Sequence, residues 1–267
     1  MRRSLTVPIV ATLGFLFLYA PIIALVIFSF NANRLVTVWS GFSVASYSSL
    51  WSDPQLLPAA WLSLQIAAIA ATIALVLGTL CAYALVRFRR FRGKTVLQAT
   101  VSAPLVMPDV ITGLALLLMF VAMQSLIGWP SGRGVLTIVI AHATFCTAYV
   151  TVVVQSRLTD LDLSLEEAAM DLGATPVRVF FDVTLPIIAP ALVSGWLLAF
   201  TLSLDDLVIA SFVSGPGSST LPMVIYSKVR LGVAPEVNAL ATIIIGFVAA
   251  GVFIATLLQL RRKPAKA

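Results

Sequence analysis

Charged residues are scarce in this sequence. Asp, Glu, Lys and Arg make up 10% of its 267 residues, whereas about a quarter of the residues in a soluble domain are charged. Hydrophobic residues make up 60%, and the mean hydropathy is +1.04. This composition excludes an ordinary soluble globular protein, so we predict that lipid covers much of the apolar surface.

Residues that build disulfide, metal and nucleotide sites are also few. The two cysteines, Cys81 and Cys146, both lie in apolar segments, which argues against a disulfide framework and a metal cluster. The single histidine, His142, has no ligand-type residue at metal spacing, so a hydrogen-bonded core residue is favoured over a proton relay. The full P-loop pattern, the nucleophile elbow and the zinc-protease motif are absent. We therefore predict no catalytic residue, no metal and no cofactor bound by this chain.

Six apolar segments are long enough to cross a bilayer, which takes about 20 helical residues. We predict spans near residues 8–30, 59–86, 96–121, 135–154, 186–213 and 237–260. The first segment is too long for a signal peptide, and no small-residue cleavage site follows it. The predicted fold class is an all-α membrane protein with six transmembrane helices, forming a single transmembrane domain over residues 1–267.

Basic residues are unevenly distributed between the segments that join these spans. With both termini in the cytoplasm, 13 of the 17 Lys and Arg residues lie on the cytoplasmic side, and the others are Arg34, Arg133, Lys228 and Arg230. This positive-inside bias predicts cytoplasmic termini and a cytoplasmic 155–185 loop. It also accounts for the net charge of +6 without a nucleic-acid partner. We interpret the basic run from Arg87 to Lys94 as a solvated anchor beside lipid headgroups.

The 155–185 loop is a polar, amphipathic segment. Ser164 and Glu167 predict a capping box at a helix start, and Gly173 predicts the left-handed residue that ends this helix. Thr175 and Pro176 predict the cap and first turn of a second short helix. The apolar residues of the two helices recur at helical spacing, at Leu165, Ala168, Ala169 and Leu172 and then at Val177, Phe180 and Phe181. We predict that both helices present these side chains at the membrane surface, the alternative being a loop that folds against its own helices.

Three acidic residues fall within predicted spans: Asp109, Asp205 and Asp206. A carboxylate in a span is costly and commonly marks a functional site. Pro104 and Pro108 interrupt the helix before Asp109 and free carbonyls towards a cavity. Adjacent helical residues point about 100° apart, so Asp205 and Asp206 cannot face one pathway equally. For one of these two, a capping or interfacial carboxylate is the alternative.

These carboxylates predict a cationic cargo. Acidic groups replace the hydration that a cation loses, and aromatic faces add cation–π attraction. No Lys or Arg lies in the middle of a predicted span, which argues against an anionic cargo. Trp196 lies deeper in its span than the other four tryptophans, so we assign it to the pathway together with the carboxylates. The residues alone specify an organic or inorganic cation.

The order Glu167-Ala168-Ala169, then Gly173, then Leu185-Pro186 resembles the EAA loop of ABC importer permeases, with Val183 where the family pattern has isoleucine. Residues 103–113 and 203–217 are similar to the polyamine (putrescine and spermidine) branch of that family, closest to its putrescine permease subunits. The resemblance implies the type I importer permease fold, with cytoplasmic coupling helices, in the bacterial inner membrane. It also implies the residues that couple to an ATPase, namely Glu167, Ala168, Ala169, Gly173, Phe180 and Phe181.

The same resemblance implies a set of partners. They are a second, non-identical permease subunit, two ATPase subunits that bind ATP and Mg²⁺, and a periplasmic polyamine-binding protein. This chain is then a non-catalytic membrane subunit for polyamine import, with putrescine as the expected cargo. The alternative function is a stand-alone cation channel or secondary transporter in which the carboxylates titrate or bind ions.

Overall fold

The computed structural model describes residues 6–33, 38–88, 90–231 and 235–262, and the regular elements in these ranges are helices. In chain order they are α1 (Thr6–Phe28), α2 (Ala45–Ser52), α3 (Leu56–Arg87), α4 (Lys94–Val106), α5 (Asp109–Ile127), α6 (Val135–Thr159), α7 (Leu163–Asp171), α8 (Pro176–Val179), a π-helical turn (Phe180–Thr184), α9 (Leu185–Asp205), α10 (Val208–Val213), α11 (Leu221–Leu231) and α12 (Pro235–Arg262). The prediction of an all-α chain is confirmed.

Five helices in the described ranges are long and apolar enough to cross a membrane. They are Val7–Phe28, Leu56–Arg87, Asp109–Ile127, Val135–Thr159 and Pro176–Asp205, and α12 adds a shorter apolar stretch, Pro235–Ala250. Helices α1, α3, α6 and α12 cover the predicted spans at 8–30, 59–86, 135–154 and 237–260, each with shifted ends. The other two predicted spans need correction.

The predicted third span, at 96–121, contains a break. Helix α4 ends at Val106, and Met107 has an extended backbone before Pro108, which is the residue that precedes α5. A proline disfavours helical backbone in the residue before it, so the chain leaves the helix at Met107. The membrane-length helix is therefore α5, and Asp109 lies in its first turn rather than inside a continuous span.

The predicted fifth span, at 186–213, starts too late and ends too late. Helical structure is continuous from Pro176 through the π-helical turn to Asp205, so the predicted second coupling helix is the beginning of this span. The wider turn ends two residues before Pro186, which lacks the backbone N–H that a regular helix needs. At the other end Asp206 has an extended backbone, and α10 is a separate short helix.

The predicted single transmembrane domain contains two compact units. The first comprises Met1–Leu57 with Ile225–Ala267, and the second comprises Pro58–Val224. In the first unit, α1 and α2 pack against α12. Asp53 and Lys228 form an ion pair there, with 2.6 Å between Oδ2 and Nζ. Burial raises the pKa of Asp53, but this ion pair and the backbone N–H groups of Leu56 and Gln55 outweigh it and hold the pKa below its ordinary value.

Helix α6 runs through the core of the second unit. It packs against α9, and its side chains Ile138, Val150, Val154 and Leu158 are almost completely buried. Gly78 of α3 lets that helix approach Val150 closely, because a Cβ at position 78 would lie 2.7 Å from Val150 Cγ1. The same helix carries His142, which is 0% exposed. Helices α5, α9 and α10, which border the two breaks, therefore all pack against α6.

Candidate translocation cavity and coupling surface

The helix break before α5 and the break after α9 border one cavity in the second unit. Its volume is about 360 Å³, within the range of small-molecule sites. The lining consists of Pro104, Asp109, Thr112, Phe145, Tyr149, Leu202, Asp205, Asp206, Leu207, Val208 and Ile209. The structure thus brings together the three carboxylates that the sequence singled out, although they are up to 97 positions apart in the chain.

The charge of this lining is entirely negative among its described residues. It contains three aspartates and no Lys or Arg. Phe145 and Tyr149 of α6 add aromatic rings to the same wall. Carboxylates and aromatic faces both attract cations, so the cavity is suited to a small cation rather than to an anion.

Asp205 and Asp206 have different roles in the structure. Asp206 accepts hydrogen bonds from the backbone N–H groups of Ile209 (3.2 Å) and Ala210 (2.7 Å), and its side chain is 9% exposed. It is therefore the capping carboxylate of α10. Asp205 is exposed, and within the described ranges no other side chain donates a hydrogen bond to it. Of the two, Asp205 is the carboxylate that is available to a ligand.

His142 is a hydrogen-bonded core residue, as the sequence favoured. Its Nδ1 lies 2.6 Å from Ser203 Oγ, and its Nε2 lies 3.2 Å from Asp206 Oδ2. The carboxylate partner was missed because it lies 64 residues away in the chain. Composition and spacing give no signal for a contact of this kind.

The structure does not bring Trp196 together with the carboxylates. Its indole Nε1 donates to Thr72 Oγ1 of α3 at 3.1 Å, and its ring stacks on Phe200 with 5.2 Å between ring centroids. Trp196 is not among the described residues that line the cavity. The observed contacts of Trp196 are with α3 and with its own helix.

The predicted first coupling helix corresponds to α7, which begins differently from the prediction and ends as predicted. The predicted capping box of Ser164 and Glu167 is wrong, because Asp162 is the cap and accepts from Ser164 N at 3.0 Å. That hydrogen bond holds the pKa of Asp162 below its ordinary value. At the other end, Gly173 has φ +88° and Ala174 N donates to Ala169 O at 3.1 Å, which is a Schellman motif.

The start of α8 follows the prediction. Thr175 Oγ1 accepts from Arg178 N at 3.4 Å, and Pro176 occupies the first turn. Here the missing proline N–H costs nothing, because the first amides of a helix have no partner within it.

The segment between α6 and α9 presents an apolar surface, which we call the coupling surface: Leu165, Leu172, Val177 and Phe181. Leu172 is 90% exposed and Phe181 is 58% exposed. Glu167 and Ala168 are exposed beside them, whereas Ala169 is half-buried. Phe180 points inward, with its ring 5.0 Å from that of Tyr83. Of the six predicted coupling residues, Phe180 therefore contacts the chain's own helices; the predicted ATPase contacts of all six stay predictions.

Glu166 is a residue that sequence reasoning missed. Its side chain is buried, 3.0 Å from Arg87 Nε at the end of α3, and it accepts from Thr184 Oγ1 at 2.7 Å. The interpretation of Arg87 as part of a solvated basic run is therefore wrong, since that side chain is only 10% exposed. Glu166 ties α7 to α3 and to the π-helical turn before α9.

Residues 74–264 match the protein family described as "Binding-protein-dependent transport system inner membrane component". The chain belongs to this family. Family membership confirms the predictions of a non-catalytic transport permease and of a multi-pass inner-membrane protein. It also favours an importer subunit over a stand-alone channel or secondary transporter.

Two relatives and one solved structure are similar to the chain. The chain is 63% identical to the putrescine transport system permease protein PotI of Escherichia coli (strain K12), covering 95% of this chain and 90% of that protein. It is 43% identical to the spermidine/putrescine transport system permease protein PotC of the same strain, covering 86% and 84%. A chain of a bacterial ABC transporter involved in alginate import has a TM-score of 0.73 at 18% identity, covering 98% and 99%. That likeness confirms the importer permease fold.

Proposed function

We propose that this chain is one of two permease subunits of an ATP-driven importer of polyamines, and that putrescine is its cargo. The observation that carries the proposal is the cavity between the two helix breaks, where Asp109 and Asp205 are exposed on a lining whose described residues include no Lys or Arg. The 63% identity to the putrescine permease PotI supports the choice of cargo.

The number of available carboxylates suits a diamine. Putrescine carries two ammonium groups, and Asp206 is engaged as the cap of α10. Asp109 and Asp205 remain, each to pair with one ammonium group. Phe145 and Tyr149 line the same cavity, where their rings would cover the apolar chain and add cation–π attraction to the ammonium groups. A monoamine would use one carboxylate and leave the other unpaired.

The coupling surface is the contact to an ATPase in this proposal. Leu165, Leu172 and Phe181 are 48%, 90% and 58% exposed, although the Phe181 ring contacts Phe180, and a hydrophobic cleft would cover this apolar area. Glu167 lies beside this area and makes a polar contact to the ATPase. Two ATPase subunits bind ATP and Mg²⁺, and their closure moves α7. Glu166 passes that movement to α3 and α9 through Arg87 and Thr184.

The proposed orientation places both termini and α7 in the cytoplasm. The excess of basic residues in the segments on that side supports it. A second, non-identical permease subunit completes the pathway, and a periplasmic polyamine-binding protein delivers the cargo from the other side.

Uptake of radiolabelled putrescine into proteoliposomes that hold the complete transporter, with ATP inside, tests this function. Asp109→Asn and Asp205→Asn are compared with wild type and with Asp160→Asn, a matched change at an exposed carboxylate outside the cavity. We expect the two cavity variants to assemble and hydrolyse ATP but to lose import, while Asp160→Asn imports normally. Normal import by both cavity variants would refute the pathway. An intact wild-type complex that imports no putrescine would refute the cargo.

A further inference from the structure

A buried group of hydrogen-bonded side chains adjoins the cavity through Asp206, which is one of the lining residues. His142 of α6 contacts Ser203 near the end of α9 through Nδ1 (2.6 Å) and Asp206 at the break through Nε2 (3.2 Å). His142 is 0% exposed and Ser203 is 4% exposed. Both ring nitrogens of His142 therefore have a hydrogen-bonding partner, one on each side of Asp205 in the chain.

The Ser203 side chain has an unusual partner for its position. Ser194 and Thr201 of the same helix donate back to the carbonyls four residues earlier, at 2.9 Å in both cases. Ser203 instead bonds to a ring on another helix. A buried polar side chain that does not hydrogen-bond within its own helix needs a partner elsewhere, because an unpaired polar group in a buried site is costly. The bond between Ser203 and His142 therefore fixes the end of α9 against α6.

We propose that His142 is a positioning residue that holds Asp205 at the cavity. Its two partners lie two residues before and one residue after Asp205, so the imidazole bridges both sides of that carboxylate. The chain leaves the helix at Asp206, where the regular ladder of backbone hydrogen bonds ends. His142 supplies the constraint that the ladder no longer provides. The meaning of this positioning for transport rests on the proposed function of the cavity.

The direct test measures where residue 205 lies. Asp205→Cys is placed in a chain in which Cys81 and Cys146 are alanine, and the complete transporter is labelled with a positively charged methanethiosulfonate reagent. We expect His142→Phe, which keeps the volume and removes both hydrogen bonds, to change the labelling rate by about tenfold, as the loss of buried hydrogen bonds implies. His142→Gln, which retains a donor and an acceptor, is expected to stay near wild type. The matched control is Thr151→Val, because Thr151 is buried on the same helix and its side chain donates to the Thr147 carbonyl of that helix.

A transport measurement shows whether His142 acts through Asp205. We expect His142→Phe to lower the amount of putrescine imported per ATP hydrolysed, with rescue by His142→Gln. A merely structural role would instead reduce assembly of the complex.

The outcomes separate this inference from the proposed function. An unchanged labelling rate in His142→Phe overturns the positioning role, even if Asp205→Asn blocks import. An altered labelling rate together with normal import by Asp205→Asn supports the positioning role and refutes the proposed role of Asp205 in the cation pathway. Equal loss in His142→Phe and Thr151→Val would show a general packing defect and would also overturn the inference.

Discussion

Replacing Glu166 with glutamine weakens the attachment of α7 to α3 and leaves the residues of the coupling surface unchanged. Glutamine keeps the size of the side chain and an oxygen that accepts from Thr184 Oγ1, which now lies 2.7 Å from Glu166 Oε1. It removes the charge that pairs with Arg87 at 3.0 Å. Helix α7 retains its Asp162 cap and its Gly173 end, so the helix itself is expected to persist.

The magnitude follows from the burial of the pair. Removing one partner of a fully buried ion pair costs about 3–5 kcal/mol, and losing a charged hydrogen bond costs about 1.5–3 kcal/mol. The Arg87 and Glu166 side chains are 10% and 9% exposed, so the cost lies somewhat below the buried limit. We expect the attachment of α7 to α3 to weaken by about 2–4 kcal/mol. The lower value already corresponds to about a thirtyfold shift in the attachment equilibrium.

The assay is the ratio of putrescine imported to ATP hydrolysed in proteoliposomes. We expect Glu166→Gln to lower this ratio by at least about tenfold while ATPase subunits still bind, because the coupling surface is intact. The double variant Glu166→Gln with Arg87→Gln removes the uncompensated buried charge and should recover part of the loss. A wild-type ratio in Glu166→Gln, or a double variant no better than the single one, would refute the reasoning.

Three further changes test other parts of the chain. Gly173→Ala forces alanine into φ +88° and should lower import per ATP, at a backbone cost of about 1–2 kcal/mol, whereas Gly173→Asn should be milder. Glu167→Ala should reduce recovery of the ATPase in a pull-down, and full recovery would count against the proposed contact. Asp53→Asn should lower the melting temperature at neutral pH. Because the pKa of Asp53 is depressed by folding, that difference should disappear as the pH falls below about 4, and a difference that persists in acid would contradict the ion-pair account.

Local sequence signals predict the correct elements where one residue type determines the backbone. Gly173 has the left-handed conformation, and Thr175 with Pro176 begins a helix. The predicted spans at 96–121 and 186–213 run across the breaks at Met107 and Asp206, because apolar residues flank both positions and hydropathy does not respond to backbone conformation. Of the two prolines predicted to interrupt the helix before Asp109, Pro108 marks the first break, whereas Pro104 lies inside α4.

The remaining differences come from contacts between residues that are distant in sequence. The partners of Glu166, at positions 87 and 184, and those of His142, at positions 203 and 206, come from other elements of the chain. The basic run from Arg87 to Lys94 therefore predicts solvated side chains, although the side chain of Arg87 is only 10% exposed. Asp109, Asp205 and Asp206 were found from their cost in a membrane, which is a property of single residues. Their division into available and capping carboxylates required the fold.

The continuity of the helix from Pro176 to Asp205 has a mechanical consequence. It is 30 residues long, so its ends lie about 45 Å apart at 1.5 Å per residue. One end carries Val177 and Phe181 of the coupling surface, and the other carries the carboxylate at the cavity. The two sites therefore lie at opposite ends of one continuous helix. A tilt of about 10° around one end would displace the other by about 8 Å over that length. A movement of the coupling surface would then also displace Asp205 directly through this helix, in addition to the contacts that Glu166 makes with Arg87 and Thr184.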